Sequence, residues 1–113
     1  MTRKVDRRDT IAIDFKKDVQ FLKSQMPPLL PVRVYRRPTK GCLGYTNLTL
    51  KNGCPSHFII VVSSTLSWDA TWQVLIHEWA HAMSWVGDGE TFCDHGPEWG
   101  LWFAKIYQEI IEP

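Results

Sequence analysis

Apolar residues in the first quarter of the chain recur with the period of a helix. Ile11, Phe15, Val19 and Leu22 stand four, four and three positions apart with Arg, Lys and Asp between them, which predicts an amphipathic helix from Asp6 to Met26. The MPPLLP segment at 26–31 ends it, because proline has no amide proton to donate and disfavours helical geometry in the residue before it. Three extended pieces follow, Val32 to Arg37, Leu43 to Leu50 and His57 to Ser63, separated by Gly41 and by a turn over Asn52, Gly53, Cys54 and Pro55. In the last piece HFIIVV is apolar without alternation, the mark of a strand covered on both faces.

A second helix is expected from a Ser67 cap, with Asp69 in its electropositive first turn, to about Trp85. Its apolar residues occupy two faces: Trp72, Ile76, Trp79 and Met83 form one stripe, while Val74 and Trp85 flank His77 and His81 on another. Such a helix is mostly buried. A glycine-rich acidic loop from Gly87 to His95 leads to a last helix, opened by Pro97 and closing near Glu112. Trp68 with Trp72, and Trp99 with Trp102, have helical spacings that predict core packing between the last two helices. The order helix, three strands, helix, helix predicts an α+β domain with helices on a small sheet. A chain of 113 residues can bury one core of useful size, so 1–113 reads as a single domain.

Composition excludes a disordered or repetitive chain, since 44% of residues are apolar and 22% charged. MTRKVDRRDT carries charge where a signal peptide needs an apolar run, and no stretch approaches the roughly 18 apolar residues of a membrane span, so a cytoplasmic protein with no membrane partner is expected, at the nucleoid or in the nucleus if it associates with DNA; it is also expected to be a monomer. Cys42, Cys54 and Cys93 form no CxxC pair and match neither a zinc ribbon nor a disulfide framework, which suits a reducing compartment.

A net charge of +1 conceals an asymmetry. Residues 1–53 hold twelve Lys and Arg against four Asp, whereas 54–113 hold Lys105 against eight acids. The basic half suits a phosphate-rich partner and the acidic half a cation, although both also read as solvated faces. Arg33, Tyr35, Arg36, Arg37 and Lys40 interleave basic and aromatic groups, and Arg3, Lys4, Arg7 and Arg8 precede the first helix. Phosphates can lie against such groups with Tyr35 stacking on a base. A charged edge strand that resists aggregation is the competing reading.

The chemistry is concentrated in HEWAHAMSWVGDGETFCDHGPEWG, residues 77–100. His77 and His81 are one helical turn apart, about 6 Å along the axis, so both imidazoles can face one ion. Glu78 lies one residue further round, able to reach a water beside that ion without binding the ion itself. This is the HExxH pattern of two zinc ligands and a general base. The alternative, two core histidines with local partners, has to explain three adjacent polar groups on a largely apolar helix, each costing on the order of 1–3 kcal/mol if buried unpaired. A catalytic zinc usually takes three protein ligands. His95 can supply the third, because Gly96 and Pro97 fix a turn that brings it back to the helix; Glu98 is the rival, and Asp88, Glu90 and Asp94 are within reach in sequence. Cys93 reads as a small apolar residue and His57 as a strand residue rather than a ligand. A metzincin pattern fails, since it requires Gly at Ser84 and His at Gly87.

HEWAHAM followed by HGPEW resembles the SprT-like (Spartan-type) metallopeptidases, whose motif is HExxH with a third histidine in an HGPEF-like sequence. LGY at 43–45, the apolar strand before the helix and the order of elements are similar too, so the resemblance runs from about Phe15 onward. It implies a minimal zincin-like metalloprotease domain with His77, His81 and His95 as zinc ligands and Glu78 as catalytic acid/base. It also implies protein substrates bound or crosslinked to DNA, with DNA as a partner. Longer relatives continue past the helix after HGPEW into a further zinc- or DNA-binding region. Against the endopeptidase stands a non-catalytic nucleic-acid-binding module in which zinc only fastens the last two helices. An extended substrate is expected beside the strand of Gly44 and Tyr45, with Tyr45 or Tyr107 as candidate oxyanion donors, though a packed phenol is the plainer reading of both.

Overall fold

The computed structural model describes residues 7–85, 87 and 95–111, the side chains of 7–13 excepted. The expectations placed on Arg3, Lys4, Asp88, Glu90, Cys93, Asp94 and Glu112, and on the side chains of Arg7, Arg8 and Ile11, therefore lie outside the described residues. Helix α1 spans Arg7–Gln25, with Phe15, Val19, Leu22 and Met26 buried along one face as the spacing requires. The Met26 amide still donates to the Leu22 carbonyl at 2.8 Å, and the prolines at 27 and 28 stop the ladder there.

Strands β1 (Val32–Arg37), β2 (Gly44–Lys51) and β3 (Cys54–Ser63) form one sheet in the order β1-β3-β2, with β1 parallel and β2 antiparallel to β3. Strand β3 begins earlier than its apolar run. Asn52 and Gly53, at φ 54° and 79°, make a two-residue turn that pairs Lys51 with Cys54, so Pro55 lies within the strand. The register shifts between Thr49 and Leu50, beside that proline, which cannot donate to a ladder. HFIIVV occupies the central strand. Phe58, Ile60 and Val62 are fully buried toward the helices, and on the other face Val61 is buried while Ile59 is only half-buried, so the second face is covered in part.

Helix α2 spans Trp68–Ser84. The Ser67 hydroxyl accepts from the Ala70 amide at 3.3 Å, Asp69 sits in the first turn, and Trp85 closes the far end in extended conformation. Trp72, Leu75, Ile76 and Trp79 are essentially inaccessible, each burial contributing about 1.5–3 kcal/mol. The buried Trp79 indole donates to the Met26 carbonyl at 2.9 Å, tying α2 to the end of α1. Trp72 stacks on Phe15 at 5.7 Å between centroids and Trp68 meets Trp72 edge-on, so this pair joins α2 to α1 rather than to the last helix. Helix α3, Pro97–Ile110, has Pro97 in its first turn and packs along α2 with Ile106 buried. No helix among the described residues is long and apolar enough to cross a membrane.

Helix α2 lies unusually close to the start of β2. A Cβ on Gly44 would stand 2.6 Å from Val74 Cγ1 and 2.7 Å from the Val61 carbonyl oxygen, closer than packed atoms tolerate. Gly44→Ala is therefore expected to destabilise the protein by about 1–3 kcal/mol in urea unfolding, as overpacking does. Equal stability of the variant would mean that the helix does not depend on this contact.

Candidate metal centre

His77 and His81 project from one face of α2, and His95 stands just before Gly96 and α3. The three Nε2 atoms converge: His77 to His81 is 3.3 Å, and His95 is 3.1 Å from each. Hydrogen bonding cannot satisfy such a triangle, because each Nε2 offers one in-plane position, either a proton or a lone pair. A shared cation can. An ion about 2.0–2.1 Å from tetrahedrally arranged nitrogens holds them roughly 3.3 Å apart, which is the spacing found. Among the described residues these three histidines form the group able to hold a metal ion. Glu98, the rival third ligand, is exposed and outside it. His57 is also outside, its Nδ1 lying 3.0 Å from the Ser56 hydroxyl.

The three rings differ in exposure: His81 is buried, His77 half-buried and His95 exposed. Burial, with the charge of His95 as a second cause, holds the His77 pKa below its ordinary value of 6.5. The neutral imidazole that a metal requires is thereby the favoured form at neutral pH.

Glu78 is 7% exposed, and its Oε1 accepts from the Thr46 hydroxyl at 2.7 Å; the same hydroxyl lies 3.1 Å from the Glu78 carbonyl oxygen. Burial raises the carboxyl pKa and the Thr46 hydrogen bond opposes it. A strand residue thus fixes the direction of this carboxylate. The alternation of β2 turns Thr46 toward α2 and Tyr45 to the opposite face, so Tyr45 does not stand beside the histidines. Tyr107 is half-buried against Phe103.

Thr46 and Trp99 are the two members of the site that spacing did not reveal. The Trp99 ring lies 5.0, 5.7 and 4.7 Å from the rings of His77, His81 and His95, and its indole donates to the His77 carbonyl at 3.2 Å. Rather than packing the core alone, it presses on all three imidazoles. Its position four residues after His95 was the available signal, and helical periodicity could not distinguish that role from ordinary packing.

The basic cluster divides. Alternation along β1 puts Arg33, Tyr35 and Arg37 on the face away from the helices, with Arg37 Cζ 4.9 Å from the Tyr35 ring centre. Arg36 points the other way, 5.9 Å over Phe15 and donating to the Ser64 carbonyl at 3.4 Å, so it braces α1 on the sheet instead of joining the others. Lys40 is exposed between β1 and β2.

The α+β fold thus carries, between the end of α2 and the start of α3, three convergent imidazoles able to hold a metal ion. The family model described as the SprT-like family matches residues 15–112, and the chain belongs to that family. No curated protein and no solved structure was found to match the chain. Replacing His95 with Ala is expected to abolish stoichiometric zinc in metal analysis of the purified protein. Loss of a direct ligand should exceed the roughly 10–100-fold effect of disturbing an outer partner. Unchanged zinc would remove His95 from the ligand set.

Proposed function

We propose that the chain is a zinc-dependent endopeptidase acting on proteins associated with or crosslinked to DNA. The observation that carries the hydrolytic reading is a buried, oriented carboxylate, Glu78, which lines a cleft together with His77, one of the three convergent imidazoles. A zinc ion held by neutral imidazoles keeps its full +2 charge, and when bound supplies polarisation of a peptide carbonyl and a lowered pKa for water. The remaining work falls to the chain's own side chains. His77 and His81 are set by α2, and Trp99 restrains their rings. With its pKa raised by burial, the Glu78 carboxyl exchanges a proton closer to neutrality than a solvated one. It takes a proton from water at the cleft and returns it to the leaving amine. Among the described residues strand β2 ends the sheet, so its outer edge can receive an extended peptide laid beside Gly44 and Tyr45.

The nucleic-acid reading rests on the sheet. Residues 19–68, which include all three strands, contain six Lys or Arg and no Asp or Glu. Arg33 and Arg37 flank the exposed Tyr35 on the face away from the helices, an arrangement that can hold a phosphate backbone while a base stacks.

Glu78→Gln is expected to lower cleavage of an unfolded protein by at least about a hundredfold, with zinc content and melting temperature unchanged. A wild-type protein that cleaves nothing, with or without single-stranded DNA, would instead favour a non-catalytic module in which zinc fastens α2 to α3. Converting Arg33 and Arg37 together to Gln should weaken binding of a single-stranded oligonucleotide and flatten its salt dependence by about 1.4 in the logarithmic slope. An unaltered salt slope would take the sheet face out of DNA contact.

A further inference from the structure

The cleft that adjoins the metal centre has a chemical character of its own. It encloses about 390 Å³, at the low end of the roughly 300–1,000 Å³ of ligand sites, and shares His77 and Glu78 with the centre. Its other walls are Leu43, just before β2, Gly44 at the start of β2, Val74 from α2, and Trp99 and Phe103 from α3. Among the described residues Gln73 is the remaining polar side chain of the lining, and no Lys or Arg belongs to it. Trp99 and Phe103 stack on one another at 5.2 Å and 29°, and both are half-buried, so they are held by the core while presenting aromatic surface to the cleft. Gly44 permits the close approach of Val74 that brings these walls together.

We infer that this cleft is a specificity pocket that accepts a large apolar side chain, preferably aromatic, from the substrate residue adjoining the scissile bond. The inference rests on the endopeptidase reading and narrows it. Three observations fix the occupant as a peptide side chain. The cleft is continuous with His77 and Glu78, where a peptide bond would be cut. It opens at Leu43 and Gly44, where β2 begins, and among the described residues no further strand pairs with the outer edge of β2, which can take an extended backbone. Its described walls offer aliphatic and aromatic surface and no Lys or Arg, so an acidic side chain seated among them would lose water without gaining a basic partner. Trp99 then has two duties, steadying the three imidazoles on one side and contacting the substrate on the other.

The test uses blocked glycine-rich hexapeptides that differ only in one central residue: Phe, Leu, Ala, Lys or Glu. With zinc-loaded wild type, kcat/KM for the Phe peptide should exceed that for the Glu peptide by at least about tenfold, a modest value for an apolar pocket. Leu43 is 59% exposed, so Leu43→Lys should fold normally; it is expected to bring that ratio below about two by placing an ammonium group in the wall. Phe103→Ala should reduce the advantage of Phe over Ala peptides. Binding is read separately on the Glu78→Gln protein by NMR titration, following the Trp99 indole and Phe103 ring signals, which should respond to the Phe peptide at lower concentration than to the Ala or Glu peptides. Should the wild type cleave nothing while this order of binding holds, the catalytic reading fails and the pocket stands. Cleavage or binding that treats the five peptides alike, or that prefers Lys or Glu, overturns the pocket.

Discussion

The rest of the structure depends on how closely α2 rests against the beginning of β2. With no side chain at Gly44, Val74 can approach the strand to a separation that any Cβ would prevent. Two residues along, Thr46 meets the Glu78 carboxylate, and one residue before that glutamate stands the first imidazole of the metal centre. One steric allowance therefore positions the oriented carboxylate and the walls of the cleft. The buried Trp79, Ile76 and Trp72 hold the opposite side of the helix against the core, and the Trp79 indole fastens it to the end of α1. The helix cannot withdraw from β2 without exposing large apolar surface.

Electrostatics follow from the same burial. Neutral His77 is favoured because desolvation and a neighbouring imidazole both disfavour its proton, while the Glu78 carboxyl feels burial in the opposite sense, toward protonation. Two adjacent residues on one helix are thus pushed toward their uncharged forms. The third imidazole arrives from the exposed side, where the chain turns into α3.

Much of this was legible in the sequence. HEWAH gave the turn-spaced pair and the carboxylate between them, and Gly96-Pro97 gave a reason to prefer His95 over Glu98; the three Nε2 atoms converge and Glu98 lies outside their group. The bounds of α1, α2 and β1 agree with the pattern to within a residue or so at each end. What the pattern could not carry was contact between distant segments. Nothing local marks Thr46 as the partner of a residue 32 positions away, and a tryptophan at helical spacing looks the same in a core as on a ring of histidines. Arg36 failed as a member of the basic cluster because composition within a short window ignores alternation: neighbouring residues of a strand face opposite ways. Strand β3 started early because the Asn-Gly turn needs only two residues, leaving Pro55 in the strand.

Trp99 joins matters that sequence order keeps apart. It belongs to the first turn of α3, yet it touches every imidazole and hydrogen-bonds the backbone of α2. By thermodynamic linkage, seating that turn and capturing an ion at these imidazoles would each strengthen the other by the same factor. On the zinc reading a chelator is also a conformational reagent, and whatever loosens the terminal helix weakens the affinity for the ion.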